Sequence, residues 1–250
     1  LFLNKLGYKV HVYERYSDLR QDTCHSSASF NITLSERGLY SLGKIGLRES
    51  TLERCTPVFG RKIHEQSGRT HEQLYGVNHE ALYSIKRDDL LKLLLNTAEE
   101  RGVLISFNAE CKNINYTNDS VITTVNTNAS SYIVHANHLI GADGVNSTVR
   151  DMIEKNASFN IEPTIVTTHD MVYREIYLPA NAKGNNVLEK SWLHFWPNKD
   201  FVLIGFPNLD NSFTLSLFIS KQSEHINKLK HNKNYLLKFI HKFFPDISVR

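Results

Sequence analysis

The stretch that most constrains the fold is SWLHFWPNKDFVLIGFPNLDNSFTLSLFIS, at residues 191–220. Its three apolar segments are separated by the polar turns PNKD and PNLDNS. Each segment is far shorter than the ~18 apolar residues that a membrane-spanning helix needs. The pattern predicts three antiparallel strands, so the chain contains a layer built on an antiparallel sheet.

Strand and helix segments precede this sheet. Residues 1–6 read as the end of a helix, Gly7 as its stop and Lys9–Tyr13 as a strand. Helices are predicted over residues 34–46 and 87–101, where apolar side chains recur at helical spacing and a glycine follows. Between residues 58 and 83 the sequence predicts strand-like pieces broken by Gly60, Gly68 and Gly76. Strands are also predicted over 165–178 and in VLISFN, CKNINYT, SVITTVNT and SYIVHANHLIGADG. Further helices are predicted from Ser147 and over most of 221–244. This order indicates a nucleotide-binding α/β layer interleaved with a second, sheet-built layer.

The composition is that of an ordinary globular chain, with 250 residues, 41% hydrophobic residues and a net charge of +3. That charge is too small to indicate nucleic-acid binding. The three cysteines form no CxxC pair, which argues against a disulfide framework or a zinc site and fits a reducing compartment. His64 and His71 lie seven residues apart in IHEQSGRTHEQ, outside any HExxH pattern. We interpret them as unrelated residues of a surface hairpin, and we expect no metal site.

Two acidic residues are candidates for binding a dinucleotide. Glu14 closes the first strand, where a dinucleotide-binding unit carries an acid that binds ribose hydroxyls. In LIGADGVNSTVR, a predicted buried strand at Leu139 and Ile140 leads into Gly-Ala-Asp-Gly and a helix. Gly141 and Gly144 allow a tight turn, and Asp143 accepts hydrogen bonds from hydroxyls or amides. A surface position at the end of a strand is the alternative for Glu14.

The sequence resembles the single-component FAD-dependent aromatic hydroxylases. The segments that carry the resemblance run in order along essentially the whole chain: YER, FNITLSERG, IGL, GRKIH, LYG, YSIKRDDL, AEERGV, GADGVNSTVR, HFWPNKDFVLIGFPN, SFTLSLF and FFPD. The closer resemblance is to members that hydroxylate L-kynurenine to 3-hydroxykynurenine in tryptophan catabolism. It implies a para-hydroxybenzoate-hydroxylase-like fold of mixed α/β class, with a Rossmann-like FAD-binding layer (1–56 and 87–162) and an antiparallel-sheet substrate domain (57–86 and 163–250).

The resemblance also implies cofactors and site residues. FAD and NADPH are the implied cofactors and O2 the co-substrate, and no side chain is assigned as a nucleophile or an acid/base catalyst. The implied FAD contacts are Glu14, Arg15, Thr33, Arg87, Cys111 and Asp143. Arg61 and Tyr75 are the implied substrate pair, because a guanidinium fork and a phenol suit the carboxylate of an aromatic amino acid. Phe195, Trp196, Phe201 and Phe206 are expected in the core or a pocket wall.

The sequence departs from the family pattern at three places. The Gly-rich turn and the second flavin motif, Gly-Asp, are missing, which suggests a chain truncated at both ends. Ala28 stands where the family has an arginine. We therefore expect this chain alone not to hold FAD tightly. The resemblance implies a cytoplasmic location, or the mitochondrial outer membrane for a full-length eukaryotic protein.

Two alternatives remain open. One is a related flavin hydroxylase that acts on another aromatic acid, for which the Arg61 and Tyr75 pair is the discriminating feature. The other is a non-catalytic remnant of the family that serves only in binding, which the loss of the arginine at position 28 favours slightly.

Overall fold

The computed structural model describes residues 1–21, 30–117, 120–156 and 161–247. They form two compact units, one from Leu1–Cys24 and Leu95–Thr168, the other from His25–Leu94 and His169–Arg250. The chain therefore alternates between the units, and one boundary falls inside a helix. These units are defined by packing, whereas the predicted domains are defined by what they bind, so the domain assignment stays a prediction.

The first unit combines a short parallel strand pair with an antiparallel meander. Its elements are α1 (Phe2–Lys5), β1 (His11–Tyr13), the end of α4 (Arg87–Glu100), β7 (Leu104–Ser106), β8 (Ala109–Tyr116), β9 (Val121–Thr127), β10 (Ser131–Ala136) and α5 (Thr148–Lys155). β1 pairs in parallel with β7, and β8, β9 and β10 pair in sequence order. A small core of Ile114, Val121 and Val149 joins α5 to the meander.

The second unit contains two sheets. Its elements are β2 (Asn31–Leu34), α2 (Glu36–Lys44), α3 (Arg48–Leu52), β3 (Thr56–Val58), β4 (Gly60–His64), β5 (Thr70–Leu74), β6 (Leu82–Lys86), the start of α4, β11 (Met171–Leu178), β12 (Trp192–Pro197), β13 (Phe201–Pro207), β14 (Phe213–Ser220), α6 (Ile226–His231), α7 (Lys233–Phe243) and a 3-10 turn at Pro245–Ile247. The larger sheet has the order β11-β14-β13-β12-β4-β5, and the smaller has the order β2-β6-β3. Every pair in the larger sheet is antiparallel except β12 with β4.

One face of the six-stranded sheet forms the core of the second unit. Strand side chains such as Phe213, Leu215 and Leu217 pack with Phe239 of α7 and with Phe244 beside the 3-10 turn. Each such side chain contributes ~1.5–3 kcal/mol when it is fully buried. Because side chains alternate along a strand, the residues between them point to the opposite face. That opposite face is the one that carries the candidate substrate residues.

The structure confirms the three antiparallel strands in residues 191–220, and it confirms the helix stops at Gly7, Gly46 and Gly102, all at positive φ. Several predictions were wrong. The strand predicted over residues 165–178 begins only at Met171. Gly60 does not break a strand but begins β4, where a Cβ would lie 2.3 Å from the carbonyl oxygen of Gln73 and 2.5 Å from Trp192. Leu139 and Ile140 are not a buried strand: Ile140 is 67% exposed, and no described segment pairs with this stretch. A strand needs a hydrogen-bonded neighbour, which local sequence does not reveal.

Candidate functional site

Arg61 lies in β4 on the sheet face opposite the helices. Its guanidinium carbon lies 5.4 Å from the ring centre of Phe195 and 5.7 Å from that of Tyr75. Strand pairing fixes this arrangement, because β4 and β12 are in parallel register and the amide of Tyr75 donates to the carbonyl of Phe59 at 2.9 Å. The structure therefore brings the two predicted substrate residues, Arg61 and Tyr75, together. It also places the ring of Phe195 beside Arg61.

Tyr75 is suited to donate a hydrogen bond at neutral pH. Burial raises the pKa of its phenol, and the neighbouring Arg61 guanidinium offsets this only in part. The phenol therefore keeps its proton. A guanidinium and a neutral phenol, side by side, together offer donors in the directions that a carboxylate accepts.

Apolar side chains continue this face across the neighbouring strands. Ile204 of β13 lies directly opposite Phe195, and Phe206 and Phe218 are half-buried on the same face. In contrast, Trp196 and Phe201 lie in the core on the other face. Of the four aromatic residues predicted as core or pocket wall, Trp196 and Phe201 are thus in the core, and Phe195 and Phe206 lie on the opposite face.

Asp143 is held by the helix that follows it. Its carboxylate accepts from the hydroxyl of Ser147 at 2.5 Å and from the amide of Val149 at 3.1 Å. Partial burial raises the pKa of Asp143, but these hydrogen bonds outweigh it and the net pKa is lowered. The side chain is therefore an ionised acceptor. Two hydrogen bonds leave a carboxylate further lone pairs for a ligand hydroxyl.

Glycine is needed at positions 141 and 144, on either side of Asp143, for two different structural reasons. A Cβ on Gly141 would lie 2.8 Å from the Cβ of Val149, so glycine allows this loop to approach α5. Gly144 has φ of +81°, a conformation that favours glycine. The Gly-Ala-Asp-Gly motif thus shapes a turn that aims Asp143 at the start of a helix.

Cys111 lies in β8, in the same unit as Tyr13 and Asp143. Burial raises the pKa of the Cys111 thiol, and the charge of Asp143 adds to this rise. Cys111 in turn contributes to the raised pKa of Tyr13, after burial and Tyr132. Two of the predicted FAD residues, Cys111 and Asp143, are therefore neighbours in the first unit.

Glu14 and Arg15 follow β1 directly. The amide of Glu14 donates to Ser106 at 2.8 Å, and its side chain accepts from the amide of Tyr16 at 2.9 Å. Arg15 lies over the ring of Tyr16, 4.8 Å from its centre. The described contacts include none between Glu14 and Asp143. Glu14 is thus held at the strand end, where an acid for ribose hydroxyls was predicted.

Thr33 and Arg87 lie on the smaller sheet of the second unit. Thr33 in β2 faces Ser84 across β6, and Arg87 begins α4 immediately after β6. The guanidinium of Arg87 lies 5.4 Å from the ring centre of Phe30, and its amide donates to the carbonyl of Phe30 at 3.1 Å. Ala28, the departure from the family pattern, lies outside the described residues.

His64 corrects a prediction, because it is not a surface residue. Its side chain is 11% exposed and contacts Asp246 and His194, whereas His71 is exposed and pairs with Glu65. Strict alternation along β4 places His64 on the helix-covered face, a signal that was available from the sequence. No cluster of three or more metal-ligating side chains occurs within the described ranges.

The first unit contains two carboxylates, Glu14 and Asp143, of the kind that can accept from sugar hydroxyls. In the second unit, Arg87 is a cation at the first residue of a 14-residue helix, where anions are favoured. Side chains of these types are those that FAD requires. The sequence contains no GxGxxG turn. In the described part of the chain, no helix is long and apolar enough to cross a bilayer.

Comparison with curated proteins gives relatives along almost the whole chain. It is 31% identical over 98% of its length to kynurenine 3-monooxygenase from Cytophaga hutchinsonii, and 31% identical over 98% to the same enzyme from Sus scrofa. It covers 54% and 50% of those two proteins. The chain thus spans about half the length of the curated relatives it matches.

Solved structures show the same fold. A p-nitrophenol 4-monooxygenase from Pseudomonas putida aligns with a TM-score of 0.76 at 13% identity, over 100% of this chain and 60% of that one. The tetrameric form of 2-methyl-3-hydroxypyridine-5-carboxylic acid oxygenase aligns with a TM-score of 0.72 at 19% identity, over 99% and 61%. A model described as an FAD binding domain matches residues 1–208. With this match over most of its length, the chain belongs to the FAD-binding domain family.

Proposed function

We propose that this chain is the cofactor- and substrate-binding part of an NADPH- and FAD-dependent monooxygenase that hydroxylates L-kynurenine to 3-hydroxykynurenine. The relatives at about 30% identity that support this bear the name kynurenine 3-monooxygenase. The chain contributes the predicted FAD residues and the predicted carboxylate-binding pair.

The observation that carries the proposal is the grouping of Arg61, Tyr75 and Phe195. An amino-acid substrate with an aromatic ring needs a fork for its carboxylate and a flat apolar wall for its ring. The guanidinium and phenol supply the first, and Phe195 with Ile204 supplies the second. A substrate without a carboxylate would not need the fork.

The predicted FAD residues of each unit are proposed to contact FAD. Glu14 and Asp143 would accept from sugar hydroxyls, Arg15 would lie beside the adenosine and Cys111 would contribute its backbone there. Arg87 would balance phosphate charge, and Thr33 would lie beside the flavin. FAD, when bound, supplies the redox chemistry that uses NADPH and O2. The apolar sheet face would exclude water from the substrate ring.

Substrate recognition is testable by calorimetric titration of the chain with L-kynurenine and with kynuramine, which lacks the carboxylate. We expect L-kynurenine to bind about tenfold or more tightly than kynuramine, because a charge-assisted pair contributes ~1.5–3 kcal/mol. Arg61→Gln removes that preference. Arg69→Gln, a nearby exposed arginine on the β4–β5 turn, keeps it. Equal binding of both ligands to the unmodified chain contradicts the proposed recognition.

Activity is testable in the full-length protein that contains this chain, supplied with FAD and NADPH. Formation of 3-hydroxykynurenine, measured by mass spectrometry, is the expected result. Turnover of 4-hydroxybenzoate instead would identify the related hydroxylase of another aromatic acid. NADPH oxidation at background with every aromatic acid would identify the non-catalytic remnant.

A further inference from the structure

A row of polar side chains lies on the helix-covered face, behind Arg61. His64 Nδ1 lies 2.7 Å from Asp246 Oδ2, and His64 Nε2 lies 2.8 Å from His194 Nδ1. His194 Nε2 lies 2.9 Å from the carbonyl oxygen of Glu189. Trp196 stacks on His64 with ring centres 4.3 Å apart, and its indole donates to Asp246 at 2.9 Å. Three hydrogen bonds therefore link two imidazoles between two acceptors.

These contacts require one more proton than two neutral histidines carry. A carbonyl and a carboxylate only accept, so His194 Nε2 and His64 Nδ1 must both donate. The contact between the two rings needs a third N–H. Two neutral imidazoles have only two N–H groups, so the pair of rings carries a single positive charge.

The geometry places this charge on His64, whose Nδ1 lies 2.7 Å from the carboxylate of Asp246. His194 is 1% exposed, and burial lowers its pKa to about 4, so this ring is neutral. Burial opposes ionisation of Asp246, but hydrogen bonds from His64 and Trp196 outweigh it and lower the pKa of Asp246. The row therefore contains an imidazolium paired with a carboxylate.

We propose that His64, protonated on both ring nitrogens and paired with Asp246, is a latch that fastens the Pro245–Ile247 turn to β4 and β12. The latch bridges the two strands whose opposite face carries Arg61 and Phe195. Arg61 precedes His64 in β4, and Phe195 follows His194 in β12. Only the consequence for substrate binding depends on the proposed function.

The surrounding charges are compatible with this proton. Lys62 lies on the same face as His64, but it is paired with Glu189 at 2.9 Å and with Glu72 at 3.1 Å. Across β5 the residue opposite His64 is Thr70, which carries no charge. Beside the 3-10 turn, Phe244 packs edge-on against Trp196. Asp246 is therefore the acid that balances His64.

The latch makes stability depend on pH in one direction. The three hydrogen bonds of the folded row need a third N–H, whereas a histidine in the unfolded chain loses its second ring proton near pH ~6.5. Unfolding above that pH therefore releases a proton, and stability falls as the pH rises. Once the proton is lost, two nitrogen lone pairs face each other across the 2.8 Å contact.

The protonation state is measurable by 15N NMR of the chain with labelled histidine, at about pH 7.5, one unit above the ordinary histidine value. We expect a histidine signal with both ring nitrogens protonated that disappears in His64→Gln. A His64 ring with one bare nitrogen at this pH overturns the proposal. This measurement needs no ligand. It therefore tests the protonation of His64 even if the chain does not bind L-kynurenine.

A pair of variants tests whether the charge fastens the turn. Asp246→Asn keeps the shape and removes the charge, and Glu36→Gln breaks the exposed ion pair with Arg48 as a control. In urea unfolding we expect Asp246→Asn to lower the folded-to-unfolded ratio up to about fivefold near pH ~6, and by much less near pH ~9, because the Asp246 side chain is 41% exposed. The control changes it little at either pH. An equal loss for Asp246→Asn at both pH values contradicts the latch.

If Asp246→Asn does not fold, the NMR measurement on the unmodified chain decides the proposal by itself. Where it folds, weaker L-kynurenine binding at unchanged binding of kynuramine would show that the latch also positions Arg61. Unchanged binding of both ligands would limit the latch to the turn and would refute its positioning role.

Discussion

Ser147 donates its hydroxyl hydrogen to Asp143 at 2.5 Å, and its oxygen accepts from the amide of Arg150 at 3.0 Å. A single serine thus caps α5 and orients the acid of the Gly-Ala-Asp-Gly loop. The start of α5 and the orientation of Asp143 therefore depend on the same side chain.

Ser147→Ala should lower the free energy of unfolding by about 1–2 kcal/mol, because it removes a helix cap and a hydrogen bond to a charged group. Urea unfolding followed by circular dichroism measures this. Ser41→Ala is the matched control, since Ser41 is exposed and bonds only to the carbonyl of Arg37 in its own helix. Equal effects of the two substitutions would show that the cap is not needed.

Gly141→Ala should destabilise the chain by about 1–3 kcal/mol, because its Cβ would overlap Val149. The double variant with Val149→Gly should recover part of that loss relative to Val149→Gly alone, since glycine removes the Cβ of Val149 that would lie 2.8 Å away. Additive losses would contradict the close approach.

Gly38→Ala should have the opposite sign. Gly38 lies in α2, and its nearest neighbour for a Cβ is Leu34 at 3.5 Å, an ordinary contact. Alanine is preferred to glycine in a helix by up to about 1 kcal/mol, so we expect a small rise in the free energy of unfolding. A loss of stability in thermal unfolding would show that α2 is not an ordinary helix at this position.

Glu175→Gln should change the pH dependence of stability. Glu175 is half-buried and accepts from the Ser216 hydroxyl at 2.8 Å, and burial raises the pKa of its carboxyl. An acid with a raised folded pKa lowers stability as the pH rises from about 4.3 through that folded pKa. Near neutral pH the glutamine variant should therefore melt at a higher temperature than the unmodified chain, and at acidic pH the two should coincide.

The matched control for this measurement is Glu49→Gln, because the Glu49 side chain is 84% exposed. Its melting temperature should follow that of the unmodified chain across the same pH range. A gain from Glu175→Gln that persists unchanged in acid would show that ionisation of Glu175 is not its cause.

Arg61→Lys should weaken L-kynurenine binding about tenfold although the charge is kept, because an ammonium cannot form the two parallel bonds of a guanidinium. Calorimetric titration of the chain measures this. Arg69→Lys should leave the affinity unchanged. An unchanged affinity of the Arg61→Lys variant for L-kynurenine would mean that charge alone holds the carboxylate.

Local features of the sequence predicted much of the fold. Alternation along residues 191–220 and the PNKD and PNLDNS turns sufficed for three strands, since these turns connect neighbours in sequence. The glycine signal was ambiguous, because Gly68 turns a hairpin while Gly60 allows Trp192 to approach. Which strands pair over long distances was not predictable, because β4 meets β12 only in the folded chain.

The candidate site was predictable in part for the same reason. Arg61 and Tyr75 come from one hairpin region, so the resemblance alone placed both. Phe195 lies beside Arg61 because β12 pairs with β4. His64 contacts Asp246, which lies in the 3-10 turn after the last helix. Contacts of this kind join distant segments and leave no local pattern.

The parallel pairing of β12 with β4 also sets an order of events during synthesis. β4 leaves the ribosome early, but its partner follows only after the whole meander of the first unit has been translated. Until then the edge of β4 has no neighbour on that side, and such edges are prone to wrong pairing. The interval between these two strands is therefore the stage of synthesis at which the edge of β4 is open to wrong pairing.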